Sequence, residues 1–188
     1  MNLFKQTLLS LCGLTIYVVS LFFLVPQAVG ESEDQDKLQK EVRARLVFDV
    51  AKGFFIVNNF SSAISRLEEF SRLYSDSPLL AEAILIENQA RFQLGQFEGV
   101  EAELNTNLSI AGAWVDRYLF WIGEAQFALG HFTESAETYG VLIENYPESS
   151  RALEASLGRA QSFYQLSELK KLIETLEPAD GPFQKSAN

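Results

Sequence analysis

The chain has one cysteine and one histidine, and only 15 lysines and arginines against 25 aspartates and glutamates. Each shortage removes a class of chemistry. Cys12 lies inside the apolar N-terminal stretch and reads as a small hydrophobe there. Everything after it is free of cysteine, so disulfides, thiol nucleophiles and cysteine-ligated metals are excluded. His131, alone, cannot assemble a triad or a histidine metal site. A net charge of −10 argues against phosphate-backbone binding, which needs clustered cations, and so no nucleic-acid partner is expected. Phosphate-cradling and dinucleotide glycine patterns are missing. No stretch alternates apolar and polar over a strand's length, so the expected class is all-α.

What is present begins with an apolar leader. Lys5 supplies a positive start, and Thr7 to Val25 is uncharged and apolar. Pro26 follows, then Ala28-Val29-Gly30 with small residues at the two positions a signal peptidase reads. Two readings fit residues 1–30: a cleaved secretory signal, or an uncleaved anchor, since the apolar run approaches the ~20 residues that span a bilayer. The blander alternative is a buried core helix. A lipid-anchor cysteine would want small residues before it near the end of the apolar run, and Leu11-Cys12 does not provide them. Residues 31–41 are polar, a linker or the frayed start of a helix, and 179–188 form a tail after Pro178.

Between them, 42–178 reads as one helical domain. Val42, Leu46, Val50, Gly53/Phe54 and Val57 recur at three and four, which predicts one buried face of a first helix. Asn58-Asn59 ends it, and Ala63 to Tyr74 carries the next. Ser77 is expected to cap a third helix with Pro78 at its first position. Further helices are predicted over 79–94, 97–108, 112–129, 132–146, 149–164 and 167–176.

Two stretches share one template. Ala90-Arg91-Phe92-Gln93-Leu94-Gly95-Gln96-Phe97 and Ala125-Gln126-Phe127-Ala128-Leu129-Gly130-His131-Phe132 both read Ala-x-Phe-x-Leu-Gly-x-Phe, 35 residues apart. Ala160 continues the alanine series at the same interval. Tyr74-Ser75-Asp76-Ser77 and Tyr146-Pro147-Glu148-Ser149 stand two periods apart. A period of this length marks a solenoid of helical hairpins. Small residues at fixed places let helices cross closely, and Gly95 and Gly130 permit tight turns.

These residues resemble the tetratricopeptide repeat. The best unit runs from Asp116 to Pro147, with Leu119, Gly123, Ala125, Phe127, Gly130, Phe132, Ala136, Tyr139 and Pro147 matching the repeat's residue classes. Phe97 belongs to the weaker unit before it, where Val100, Leu104 and Gly112 depart from the pattern. The outer units, 45–77 and 151–178, are degenerate. The runs Tyr118 to Ala125 and Ile143 to Ser149 further resemble a bacterial envelope subfamily, that of the Tol–Pal-associated cell-division coordinator and the outer-membrane assembly lipoprotein. The missing lipid-anchor cysteine departs from the lipoprotein.

The resemblance implies a solenoid of about four repeats. It implies a non-catalytic protein–protein interaction scaffold in the periplasm or on a membrane facing it, without cofactor or metal. The membrane enters only through the N-terminal segment if that stays uncleaved. Alternatives are the N-terminal part or a short relative of a longer repeat protein, or a helical accessory domain of an envelope enzyme complex. In such arrays the first helix of each pair lines the concave groove. That implies a partner-binding set of Glu82, Leu85, Gln89, Phe92 and Gln93, then Arg117, Phe120, Glu124 and Phe127, and Arg159 from the last unit. For the aromatics at 114–127 the competing reading is core packing. Tyr118 to Ile122 is apolar on every side, so something must cover the remainder: a neighbouring helix, a second subunit or a peptide. The carboxylates Glu68-Glu69, Glu101/Glu103 and Glu134/Glu137 read as a solvated face rather than an acid pair. Asn59-Phe60-Ser61 and Asn107-Leu108-Ser109 match glycan acceptors, a pattern without meaning in a bacterial protein.

Overall fold

The computed structural model describes residues 33–177. The signal or anchor expected over 1–30 and the tail over 179–188 lie outside them. Two compact units divide the chain, 1–44 and 45–188. In the first, the described residues 33–44 are helical, so the polar stretch expected as a linker or helix start is helix. The second holds the remaining helices. Among the described residues there is no strand, and no helix is long and apolar enough to cross a membrane.

Residues 33–56 are all helical, and 45–56 is called α1 here. Then come α2 (Phe60–Leu73), α3 (Leu80–Gln93), α4 (Phe97–Asn107), α5 (Val115–Ala128), α6 (Phe132–Asn145), α7 (Ala152–Gln165) and α8 (Leu169–Leu176). They form four hairpins: α1–α2, α3–α4, α5–α6 and α7–α8. The first helices of successive hairpins also meet, α3 with α5 and α5 with α7. The expected solenoid of about four repeats is therefore what the chain builds.

Each hairpin turn uses one left-handed residue: Asn58 (φ 59°), Gly95 (φ 75°), Gly130 (φ 80°) and Ser167 (φ 60°). The next residue's N–H reaches back over the turn each time: Asn59 to the Phe54 carbonyl at 2.9 Å, Gln96 to Arg91 at 3.0 Å, His131 to Gln126 at 2.9 Å and Glu168 to Phe163 at 2.9 Å. This satisfies a carbonyl that the helix end leaves open. The last turn keeps the geometry without glycine, and Asn59 caps α2 by accepting the Ser62 N–H at 3.3 Å.

The turns between hairpins are less uniform. At Tyr74–Leu79 and Tyr146–Arg151 a serine hydroxyl accepts the N–H two residues on: Ser77 from Leu79 at 3.2 Å, Ser149 from Arg151 at 3.0 Å. Ser77 thus caps a single tight turn, and the helix starts at Leu80 rather than at Pro78, because the Leu80 N–H bonds the Ser77 carbonyl first. The middle connection departs further. Helix α4 stops at Asn107, and two 3₁₀ turns, Leu108–Ile110 and Gly112–Trp114, carry the chain to α5. Gly112, expected inside a helix, takes φ 53° and cannot continue one.

Two cores share α5. One joins Ile84, Leu85, Val100, Leu104, Tyr118, Ile122 and Ala125; the other joins Leu119, Phe120, Tyr139, Leu142, Ala152 and Ala155. Each large side chain so buried contributes about 1.5–3 kcal/mol. The stretch Tyr118 to Ile122 of α5 is apolar all round because α3 and α4 cover one side of the helix and α6 and α7 the other. Neighbouring helices, not a second subunit or a peptide, cover Tyr118 to Ile122. The Tyr118 hydroxyl donates to the Ala81 carbonyl at 2.8 Å.

The first helix corrects the periodicity reading. Of the expected core face, Val42, Leu46, Val50 and Val57 are exposed, at 60%, 64%, 51% and 70%, and Gly53 and Phe54 are half-buried. Phe48 and Ala51 are buried instead. Helix α1 meets α2 through Phe48 on Phe70, rings 5.7 Å apart, and Phe55 on Phe60, also 5.7 Å. A small residue beside a ring admits closer helix approach than a row of branched aliphatics.

Candidate functional site

A groove of about 520 Å³ opens on the first helices of the hairpins. Helix α1 gives Lys52, Phe55 and Ile56; α3 gives Glu82, Leu85, Ile86 and Gln89. Trp114 comes from the 3₁₀ turn before α5, Arg117 from the first turn of α5, and Ser150 and Arg151 from the turn into α7. An aromatic and aliphatic floor thus carries charged groups from four successive hairpins.

Of the residues expected to bind a partner, Glu82, Leu85, Gln89 and Arg117 line this groove. The others lie elsewhere. Phe92 packs edge-on against Phe97 at 4.9 Å and Trp121 at 5.1 Å. Gln93 is exposed at the end of α3. Phe120 is buried beneath the Arg151 guanidinium, 4.9 Å from its ring. Glu124 accepts the Tyr139 hydroxyl at 2.6 Å. Phe127 meets Phe132 at 5.3 Å, and Arg159 sits 3.6 Å from Glu144 and over the Phe163 ring. These five, from Phe92 to Arg159 without Gln93, are tied into packing. Lys52, Phe55, Ile56, Ile86, Trp114, Ser150 and Arg151 were not expected there. The first three belong to the degenerate first unit, and Trp114 and Arg151 precede their helices.

Charge in the groove is ordered. Lys52 pairs with Glu82 at 2.7 Å, and Arg151 with Glu154 at 2.5 Å. Arg117 has no ion pair among the described residues; its guanidinium lies 4.5 Å from the Trp114 ring centroid.

Away from the groove, one arginine gathers three carboxylates from three helices. Arg91 of α3 lies 2.7 Å from Glu87 of its own helix, 2.6 Å from Glu68 of α2 and 3.6 Å from Glu103 of α4. Glu68 and Glu103 were expected on a solvated face, and Glu87 was not singled out. Glu87 is 2% exposed. Burial, reinforced by Glu103 and opposed by Arg91, pushes its carboxyl up to about 7. Burial also raises the Tyr118 and Tyr139 hydroxyls well above the usual tyrosine range, so both remain donors. His131 precedes α6 without a side-chain cap bond, 3.5 Å from Glu101. No group of three or more His, Cys, Asp or Glu among the described residues is placed to hold a metal.

Comparison with known proteins gives the class. Residues 117–149, which run through α5 and α6 to the following turn, match the tetratricopeptide repeat family. No curated protein matches the chain. Among solved structures, a crystal structure of nearly identical TPR-like repeats described as kinesin light chain, from Podosopora anserina, superposes with a TM-score of 0.63. It is 14% identical, and the match covers 78% of this chain and 82% of that one. The fold is a tetratricopeptide-like helical solenoid, and one hairpin carries the repeat's sequence signature. Such folds are generally protein–protein interaction scaffolds.

Proposed function

We propose that the chain is a non-catalytic scaffold that takes a segment of a partner protein into the groove bounded by Lys52, Glu82, Gln89, Arg117 and Arg151. The observation that supports this is the groove's construction. Four hairpins contribute to one trough with apolar floor and polar rim, the composition that receives an extended peptide. This use needs no cofactor or metal. We further propose that the protein works in the bacterial envelope, in the periplasm or anchored facing it. The support is the sequence of the leader, Thr7 to Val25 and Ala28-Val29-Gly30, and the resemblance of 118–125 and 143–149 to the envelope subfamily.

The groove is tested with a photo-crosslinking residue placed singly at Ile56, at the groove, and at Gln161, exposed on α7. A partner should crosslink from Ile56 and not from Gln161, and Gln89→Trp should abolish it by filling the trough. Equal crosslinking from both positions, unaffected by Gln89→Trp, sinks the groove reading. The envelope role is tested by fractionation and N-terminal sequencing of the mature protein. Recovery in the cytosol with Met1 intact contradicts it.

A further inference from the structure

Both ends of the array leave open what its interior joints close. The turn bonds of Asn59, Gln96, His131 and Glu168 put the four hairpins in one register. In that register Leu46, Val50 and Gly53 of α1 take the places of Ala83, Glu87 and Ala90 in α3, and of Tyr118, Ile122 and Ala125 in α5. The α5 trio packs on the preceding hairpin, against Val100 and Leu104 of α4, and all six α3 and α5 residues are buried. No hairpin precedes α1 among the described residues, and there Leu46 and Val50 are exposed. Gly53 keeps the small-residue place of Ala90 and Ala125, yet nothing lies within 4 Å of a Cβ added to it. Its smallness has a use where another helix comes close.

Helix α8 carries the other half. Leu172, Ile173 and Leu176 stand where α4 has Val100, Glu101 and Leu104 and where α6 has Ser135, Ala136 and Tyr139. Interior second helices use these places to meet the next first helix. Val100 and Leu104 meet the α5 trio, Glu101 accepts the Gln126 amide at 3.1 Å, and Ser135 accepts the Ser162 hydroxyl of α7 at 3.1 Å. On α8, Ile173 is 48% exposed, and Leu172 and Leu176 are only half-buried. Solenoids ordinarily close their ends with polar outer faces. Here both open faces are apolar, and they are opposite halves of one joint. Charges beside them are paired along their own helices, Arg45 with Asp49 at 3.1 Å and Lys170 with Glu174 at 3.7 Å, so closing the joint strands neither pair.

We propose that a second copy of this chain covers these faces: α8 of one copy packs on α1 of the next, as α4 packs on α5 within the chain. The contact is head to tail. It leaves one α1 face and one α8 face free at the ends, so it extends into longer arrays. Pairing α1 with α1 would leave α8 open and would repeat no joint of the fold. The proposal does not depend on the groove.

Sedimentation velocity of the mature protein, as recovered from cells, tests it over a concentration series. The average mass should climb past the dimer. Val50→Glu blocks the α1 face and Ile173→Glu the α8 face. Both positions are exposed, so the fold should survive, which circular dichroism and the urea midpoint verify. Each variant alone should stay monomeric, because a carboxylate buried without a cation weakens the joint at least about a hundredfold. Leu46→Glu, at a second exposed place on α1, should behave as Val50→Glu does. An equimolar mixture of Val50→Glu and Ile173→Glu should form a dimer and stop there, since the intact α8 face of one meets the intact α1 face of the other. A native protein that stays monomeric throughout overturns the proposal. Ile173→Glu dimerising by itself also overturns it and assigns the association to α1 against α1. A mixture that yields no dimer overturns it as well.

Discussion

The Tyr139 ring occupies the space that a side chain on Gly158 would need: a Cβ there would stand 2.6 Å from the ring. The ring cannot retreat, because a Cβ on Gly123, in α5, would meet the same tyrosine at 2.7 Å, and its hydroxyl is bonded to Glu124. Helices α5 and α7 are glycine where they flank α6. Gly158→Ala should therefore destabilise the protein by about 1–3 kcal/mol, since overpacking outweighs the better helix propensity of alanine. Gly99 is the control. It lies exposed inside α4 with nothing within 4 Å of an added Cβ, so Gly99→Ala should stabilise by about 1 kcal/mol. Urea unfolding of both variants decides it, and shifts of the same sign would contradict the packing account.

Glu87 ties stability to pH. In the unfolded chain its carboxyl titrates near 4.5, and in the fold near 7. Below 4.5 both states hold the proton and the fold carries no penalty. Between 4.5 and 7 only the unfolded state has released it, which favours unfolding. The stability present in acid is thus lost as pH rises through 7, by about 3 kcal/mol from this group. Urea midpoints across that window should slope downward in the native protein and flatten in Glu87→Gln. An unchanged slope in the variant would assign the dependence to other groups.

Ser167 carries the cost of a left-handed backbone that Gly95 and Gly130 avoid. A non-glycine residue there costs about 1 kcal/mol. Ser167→Gly should raise the melting temperature by a few degrees, and Gly130→Ala should lower it by at least as much. If Ser167→Gly is neutral, the turn is held by its Glu168-to-Phe163 bond with little backbone strain.

Arg91 is the reciprocal of Glu87. Removing it with Arg91→Met leaves a buried carboxyl without its cation, beside Glu103 and Glu68. The loss should be about 3–5 kcal/mol above pH 7 and smaller near pH 5, where Glu87 is protonated. Paired unfolding curves at the two pH values test this, and an equal loss at both would contradict it.

Residues that repeat were readable from sequence, and residues that differ between repeats were not. Ala90, Ala125 and Ala160 are buried at their fixed places, and Gly95 and Gly130 sit at the turns because each must satisfy one local backbone or packing demand. Helix α1 carries apolar residues on two faces, and periodicity alone cannot rank them. The Phe70 ring of α2 settled the matter by receiving Phe48. Gly158 is the exception: it repeats Gly123 at the 35-residue interval, and both make room for the Tyr139 ring, but it lies in a degenerate unit where no template points to it. Glu87 looked like any helix carboxylate, since its burial depends on three helices meeting. The groove was half legible: first-helix positions carried Glu82, Leu85, Gln89 and Arg117, but Trp114 entered through 3₁₀ turns that no repeat template contains.

Helix α8 buries no residue completely and leaves Leu169 and Ile173 open, while the Tyr139 ring is locked between α5 and α7. Opening is therefore graded along the chain. Amide hydrogens of α8 should exchange with solvent through local fraying, whereas those of α5, α6 and α7 should wait for an event that frees all three helices at once.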